Sequence, residues 1–277
     1  MLEAGVGQGE ITISPDNPPP KCMRISQMIY RLFLMGLVIL FTNPVVPLAS
    51  EQDVETLVRK IDALYRSATS VADMEMQIVT PHWERTLSLR VWTKGMDKTF
   101  IRIDAPKKEK GVTTLRIRNE MWNYLPKTNK VIKVPPSMMM GSWMGSDFTN
   151  DDLVKESSML NDYTYEMIVP ADAKPGHLYI QFIPKDDSPI VWGKLITAVR
   201  ADDLIPVWQH FYDEKSNLMR VLNFKEIVSF GGKTIPSVME MVPQNKDRHK
   251  TVMRYLKAEF DVPIDDNVFT RRNLQRK

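Results

Sequence analysis

Met144-Gly145-Ser146-Asp147-Phe148-Thr149-Asn150-Asp151-Asp152-Leu153-Val154-Lys155 interrupts a chain that otherwise alternates apolar and polar residues. A methionine-rich approach, Met138-Met139-Met140-Gly141-Ser142-Trp143, leads into it. Thr149 is placed to cap a short helix. Asp151 and Asp152 fall in its first turn, where negative charge suits the helix dipole. Asp152 stands three residues after Thr149, the spacing of a capping box with Asp in place of Glu. Set between blocks of strand pattern, the run reads as a plug or lid over the apolar face of a sheet.

Outward from this insert the period is two. Before it, Met74-Glu75-Met76-Gln77-Ile78-Val79 alternates. Leu87, Leu89 and Val91 alternate with polar or bulky neighbours, as do Ile101 with Ile103 and Leu115 with Ile117. A hairpin pairs Met121–Leu125 with Val131–Val134 across Lys127-Thr128-Asn129. After the insert, strands are expected at 163–169, 177–183, 194–201, 206–213, 218–229, 235–243 and 250–260. The turn signals Lys94-Gly95, Pro106 to Gly111, Asp213 to Asn217 and Gly231-Gly232 separate neighbouring runs. Residues 51–67 carry a different period. Val54, Leu57, Val58, Ile61, Leu64 and Tyr65 recur at steps of three and four, the stripe of a helix packed on a sheet. No strand–helix–strand alternation is present, which excludes a doubly wound parallel sheet. The count is roughly 11–13 strands with one long helix and one or two short ones. A sheet that long must curl or close. It then fills itself with side chains or keeps a cavity, and the pattern leaves both open.

The beginning of the chain reads as a leader. Arg24 and Arg31 precede the apolar run Leu32 to Phe41. About ten apolar residues suit a secretory signal, and a membrane span needs about 20. Pro44 and Pro47 break the helix, and cleavage is expected near Ala49 or Ser50. The first 22 residues do not resemble the start of a signal, and translation from Met23 or Met28 would omit them. The expected organisation is an upstream extension with a signal peptide over 1–50 and a single domain over 51–277. Lys21, Arg24 and Arg31 balance Glu3, Glu10 and Asp16, so the domain keeps the whole net charge of +3. That is too mild for a nucleic-acid footprint. The single cysteine, Cys22, lies in the extension. The exported domain therefore has no disulfide and no thiolate ligand, and its stability must come from its core.

Candidate chemistry is sparse. His82, His177, His210 and His249 are scattered and do not form a metal motif. No nucleophile elbow, phosphate-binding glycine loop or zinc-protease motif occurs. The acids Asp147, Asp151, Asp152 and Glu156 are dense enough to consider acid–base work, but a helix start accounts for them. Met138, Met139, Met140 and Met144 are open to three readings: core filler, a thioether copper site, or an adaptable apolar surface. No catalytic residue, metal or cofactor is expected.

The insert resembles the central motif of the outer-membrane lipoprotein-sorting protein family, within the LolA/LolB-like superfamily. Trp122 to Lys127 with Val131-Ile132-Lys133, Ile205-Pro206-Val207-Trp208 with Phe211-Tyr212-Asp213, and Phe260 to Leu274 are similar to other passages of that family. The resemblance covers essentially all of residues 51–277. It implies a mainly β fold with a few helices (α+β): a strongly curved antiparallel sheet forming an incomplete barrel. The N-terminal helix and the central insert would plug it. It further implies a periplasmic carrier, with an apolar cavity and no chemistry. The cargo would be lipid or acylated protein, with transient membrane contact and an inner-membrane export transporter as candidate partner. An envelope-sensing or adaptor module of a lipid-export system is the alternative. Leu87, Leu89, Val91, Ile101, Ile103, Leu115 and Ile117, with Met138, Met139, Met140, Trp143, Met144 and Phe148 of the lid, are expected to line the cavity.

Overall fold

A computed structural model describes residues 51–65, 67–154, 159–186, 188 and 190–276. The leader expected over residues 1–50 lies outside the described residues. Helix α1 (Glu51–Tyr65) comes first. Six strands follow: β1 (Thr69–Val79), β2 (Glu84–Lys94), β3 (Lys98–Ala105), β4 (Thr113–Ile117), β5 (Glu120–Leu125) and β6 (Lys130–Lys133). The insert carries the short helix α2 (Asn150–Val154). Beyond it lie β7 (Tyr163–Ile168), β8 (His177–Pro184), β9 (Lys194–Arg200), β10 (Pro206–Tyr212), β11 (Leu218–Phe230), β12 (Lys233–Pro243) and β13 (Lys250–Phe260). Three single 3-10 turns complete the described elements. Among the described residues, no helix is long and apolar enough to cross a membrane.

All 13 strands form one sheet in the order β6-β5-β4-β3-β2-β1-β13-β12-β11-β10-β9-β8-β7. Every neighbouring pair is antiparallel. The edges β6 and β7 do not pair, so the sheet is not closed. Local turn chemistry sets most of this order. Gly231 and Gly232 hold φ of +58° and +88°, the left-handed pair that a tight β11–β12 hairpin requires. Asp213 accepts from the backbone amides of Lys215 (2.9 Å) and Asn217 (2.8 Å) to turn β10 into β11. The first strand pairs with the last, β1 with β13. The link from β6 to β7 is different. Its ends lie on opposite edges, about 58 Å apart if strands were laid flat at ~4.8 Å spacing. The insert traverses one face of the sheet, bonding in turn to Thr114 of β4, Thr251 of β13 and Arg220 of β11.

That inner face holds the main core. Met74, Met76 and Ile78 of β1, Leu87 and Leu89 of β2, and Leu195 and Val199 of β9 belong to it, as do Val54, Val58 and Ile61 of α1. Part of the outer face is also apolar. Cross-strand pairing sets Trp92, Phe100, Leu115 and Trp122 in one row across β2 to β5. Phe269 and Leu274 of the closing segment cover this row. The Thr113 hydroxyl donates to the Leu274 carbonyl (2.8 Å), and Lys94 and Lys98 both reach Asp266 (3.0 and 3.1 Å).

This overturns the expectation for Leu115 and Ile117, which face outward beneath the closing segment. Their alternation identifies a buried face, and on β4 the apolar side chains take the outer one. Thr114 takes the inner position opposite Ile101. Leu274 is fully buried against the outer row. Leu274→Ala should lower stability by about 2–5 kcal/mol, measured as a shift in the denaturant midpoint at unchanged slope.

Candidate functional site

The insert is held by its own polar residues. Met144 and Gly145 have φ of +53° and +76°, which turns the chain sharply between Trp143 and Ser146. The Trp143 amide donates to the Phe148 carbonyl (2.8 Å), and the Ser146 hydroxyl donates to the Trp143 carbonyl (2.7 Å). Asn150 Nδ2 donates to the carbonyls of Met138 (3.0 Å) and Gly141 (3.2 Å), so the methionine approach is folded back on the helix. The capping box forms as the spacing predicts. The Thr149 amide donates to Asp152 Oδ2 (2.8 Å), and the Asp152 amide donates to Thr149 Oγ1 (3.1 Å).

Further contacts fasten this loop to the inner face. Trp143, only 1% exposed, lies over β4 and donates from Nε1 to Thr114 Oγ1 (3.2 Å). Arg85 of β2 donates to the Met144 carbonyl. Thr251 of β13, fully buried, donates to Asp147 Oδ2 (2.8 Å) and accepts from the Asp147 amide (2.9 Å). Arg220 of β11 holds Asp152 with two parallel bonds, 2.6 and 2.7 Å. Two of the four acids that invited an acid–base reading thus act as anchors, Asp147 on β13 and Asp152 on β11; Glu156 lies outside the described residues.

Two cavities remain on the inner face, displaced toward the later strands. The first, about 530 Å³, lies between Ile61 of α1, Ser70 and Thr93 of β1 and β2, and Thr197, Phe224, Tyr255 and Phe260. The second, about 360 Å³, lies between Phe148, Asp152 and Leu153 of the insert and Trp192, Leu195, Phe211, Leu222, Met239, Met241 and Met253. Both are in the range of small-ligand sites. They share Met159 and Gln209, so they lie side by side with these two residues at their common boundary. Gln209 Nε2 donates to Thr197 Oγ1 (3.0 Å) at that junction. Both walls are mainly hydrocarbon and aromatic; the polar groups are Gln209 in both, Asp62 and a few hydroxyls in the first, and Asp151 and Asp152 in the second.

The expected lining is distributed differently. Leu87, Leu89, Ile101 and Ile103 are buried on the inner face and Val91 packs beside them, but none borders either cavity. Trp143 and the insert cover the earlier strands. Of the expected set, Phe148 borders the second cavity. Met139 and Met144 pack against the core. Met138 and Met140 are 61% and 43% exposed and point to solvent. His210 stacks on Trp208 with ring centres 3.8 Å apart, and burial pushes its imidazole below the ordinary range. No group of three or more His, Cys, Asp or Glu among the described residues is placed to hold a metal.

Residues 95–276 match a family model described as "Uncharacterized protein". The chain belongs to this family. Its fold recurs in solved structures. A DUF1329 family protein from Desulfovibrio piger ATCC 29098 is 22% identical with a TM-score of 0.72, covering 80% of this chain and 97% of that one. A putative outer membrane lipoprotein-sorting protein domain from Vibrio parahaemolyticus is 21% identical with a TM-score of 0.70, covering 80% and 98%. A LolA superfamily protein from Nitrosomonas europaea is 17% identical with a TM-score of 0.66, covering 79% and 98%. No curated protein matches the chain. This chain therefore has the LolA-like fold that the insert signature implied.

Sequence reading missed Arg220, Gln209 and the later-strand wall. The alternating Met239 and Met241, with Met253, mark an inner face, but nothing local says which half of it the insert leaves uncovered. Replacing Thr251 by Val should remove both bonds to Asp147 and destabilise the protein by about 1–3 kcal/mol. Limited proteolysis should then cut the 138–148 segment faster than in the parent protein.

Proposed function

We propose that this protein is a periplasmic carrier that holds the hydrocarbon part of a lipid or acylated protein in the two joined cavities and performs no chemistry on it. The observation that carries this reading is the pair of neighbouring, mainly apolar cavities on the inner face of an unclosed sheet. Ile61 and Asp62 of α1 border the first, and residues of the insert border the second. Helix α1 and the insert act as stoppers over the domain spanning 51–277. The likeness in fold to a putative lipoprotein-sorting domain supports the same reading. Export follows from the leader, with cleavage near Ala49 or Ser50. An inner-membrane export transporter is the proposed donor, and contact with the membrane is transient.

The energetics favour such a site without any reactive group. Burying a methylene contributes about 0.8 kcal/mol. A chain of about 14–16 carbons thus offers on the order of 10 kcal/mol before ordering costs. The methionines Met159, Met239, Met241 and Met253 suit variable chains, because methionine is unbranched and polarizable.

Bulky side chains placed inside the cavities test the reading. Ser70→Trp fills the first and Leu222→Trp the second. Each should weaken binding of a fluorescent fatty acyl probe by about tenfold or more, on the order of 1.4 kcal/mol, while circular dichroism stays unchanged. Parental uptake by both folded variants would overturn the site.

A further inference from the structure

Arg220 stands on the inner face of β11 in the row Arg220, Leu222, Phe224, and it is 5% exposed. An arginine facing an apolar interior is costly unless it is paired. Its guanidinium carbon lies 4.2 Å from the ring centre of Phe211 and 4.5 Å from that of Trp192. Its counter-charge is Asp152, at 2.6 and 2.7 Å. Its Nε is buried with no hydrogen-bond partner among the described residues. Asp152 belongs to the insert, the element that must lift for cargo to enter under the carrier reading. Lifting would leave a forked cation against two aromatic rings that border the second cavity, without its anion.

The cavities run in line from that point. Trp192, Phe211 and Leu222 border the second cavity; Gln209 and Met159 mark the junction; Phe224, Tyr255 and Phe260 border the first. Asp151 also borders the second cavity, and it rides on the same short helix as Asp152. From the charge, the fork and this alignment we infer that the cargo is an amphiphile with an anionic oxyacid headgroup. Its carboxylate or phosphate replaces Asp152 on Arg220, and its tail runs along β10 and β11 into the two cavities. A guanidinium fork matches both headgroups with paired hydrogen bonds, which a lysine would not provide. The exchange is charge for charge, so opening the insert and loading the cargo become a single competition at Arg220. This inference rests on the carrier reading and assigns its ligand class.

Three probes of equal chain length decide it: hexadecanoate, hexadecyl phosphate and neutral monohexadecanoylglycerol. The folded domain should bind at least one anionic probe about tenfold or more tightly than the neutral one. The tighter of the two anions names the headgroup. Asp152→Asn removes the competing carboxylate and should raise the ratio of anionic to neutral binding several-fold. Arg220→Met should bring the ratio of anionic to neutral binding to about one. Equal affinity for all three probes in the parent protein would overturn the inference while sparing the carrier reading. Failure of every probe, the neutral one included, would overturn the carrier reading itself. If either variant does not fold, the ratio of anionic to neutral binding in the parent protein still decides.

Discussion

The connection from β6 to β7 has to cross the inner face, and the rest of the site follows from how it is fastened there. Two carboxylates do the fastening. Asp147 meets the buried Thr251 at the start of β13, and Asp152 meets the buried Arg220 on β11. Thr251 and Arg220 are both buried, where a paired charge is held firmly and an unpaired one is costly. The crossing segment is therefore pinned at defined points, and its apolar side chains fall where those points place them.

The pinning divides the inner face into unlike halves. Over β1 to β4 the insert fills the space: Trp143 reaches Thr114, and the isoleucines of β3 and leucines of β2 lie beneath. Over β9 to β13 it stops short, and its edge, at Phe148, Asp152 and Leu153, becomes one wall of a cavity. A single element is both packing for one half and stopper for the other. The binding reading and the stability of the domain thus share the same hydrogen bonds, which is why the polar signature of the insert is dense without being reactive.

The outer face explains why the closing segment matters. An uncovered sheet of this kind would expose the row Trp92, Phe100, Leu115 and Trp122 to water. Phe269 and Leu274 cover it, and Asp266 ties the cover to Lys94 and Lys98. The resulting second core supports β2 to β5 from behind, on the half of the sheet where the insert packs in front.

Much of this was legible in the chain. Period-two runs and turn residues placed the strands, because side-chain direction and turn geometry are local properties. The capping box at Thr149 and Asp152 was legible for the same reason: its partners are three residues apart. The signature of the insert identified the fold family, and the structures bear out that likeness. Leu115 and Ile117 show the limit. Alternation tells that one face of a strand is buried, but which face depends on what covers it, and the cover here arrives about 150 residues later. The place of the cavity was likewise a tertiary decision. It depends on where Thr251 and Arg220, distant in sequence, stop the insert on the sheet, and no local pattern encodes where two remote anchors will meet.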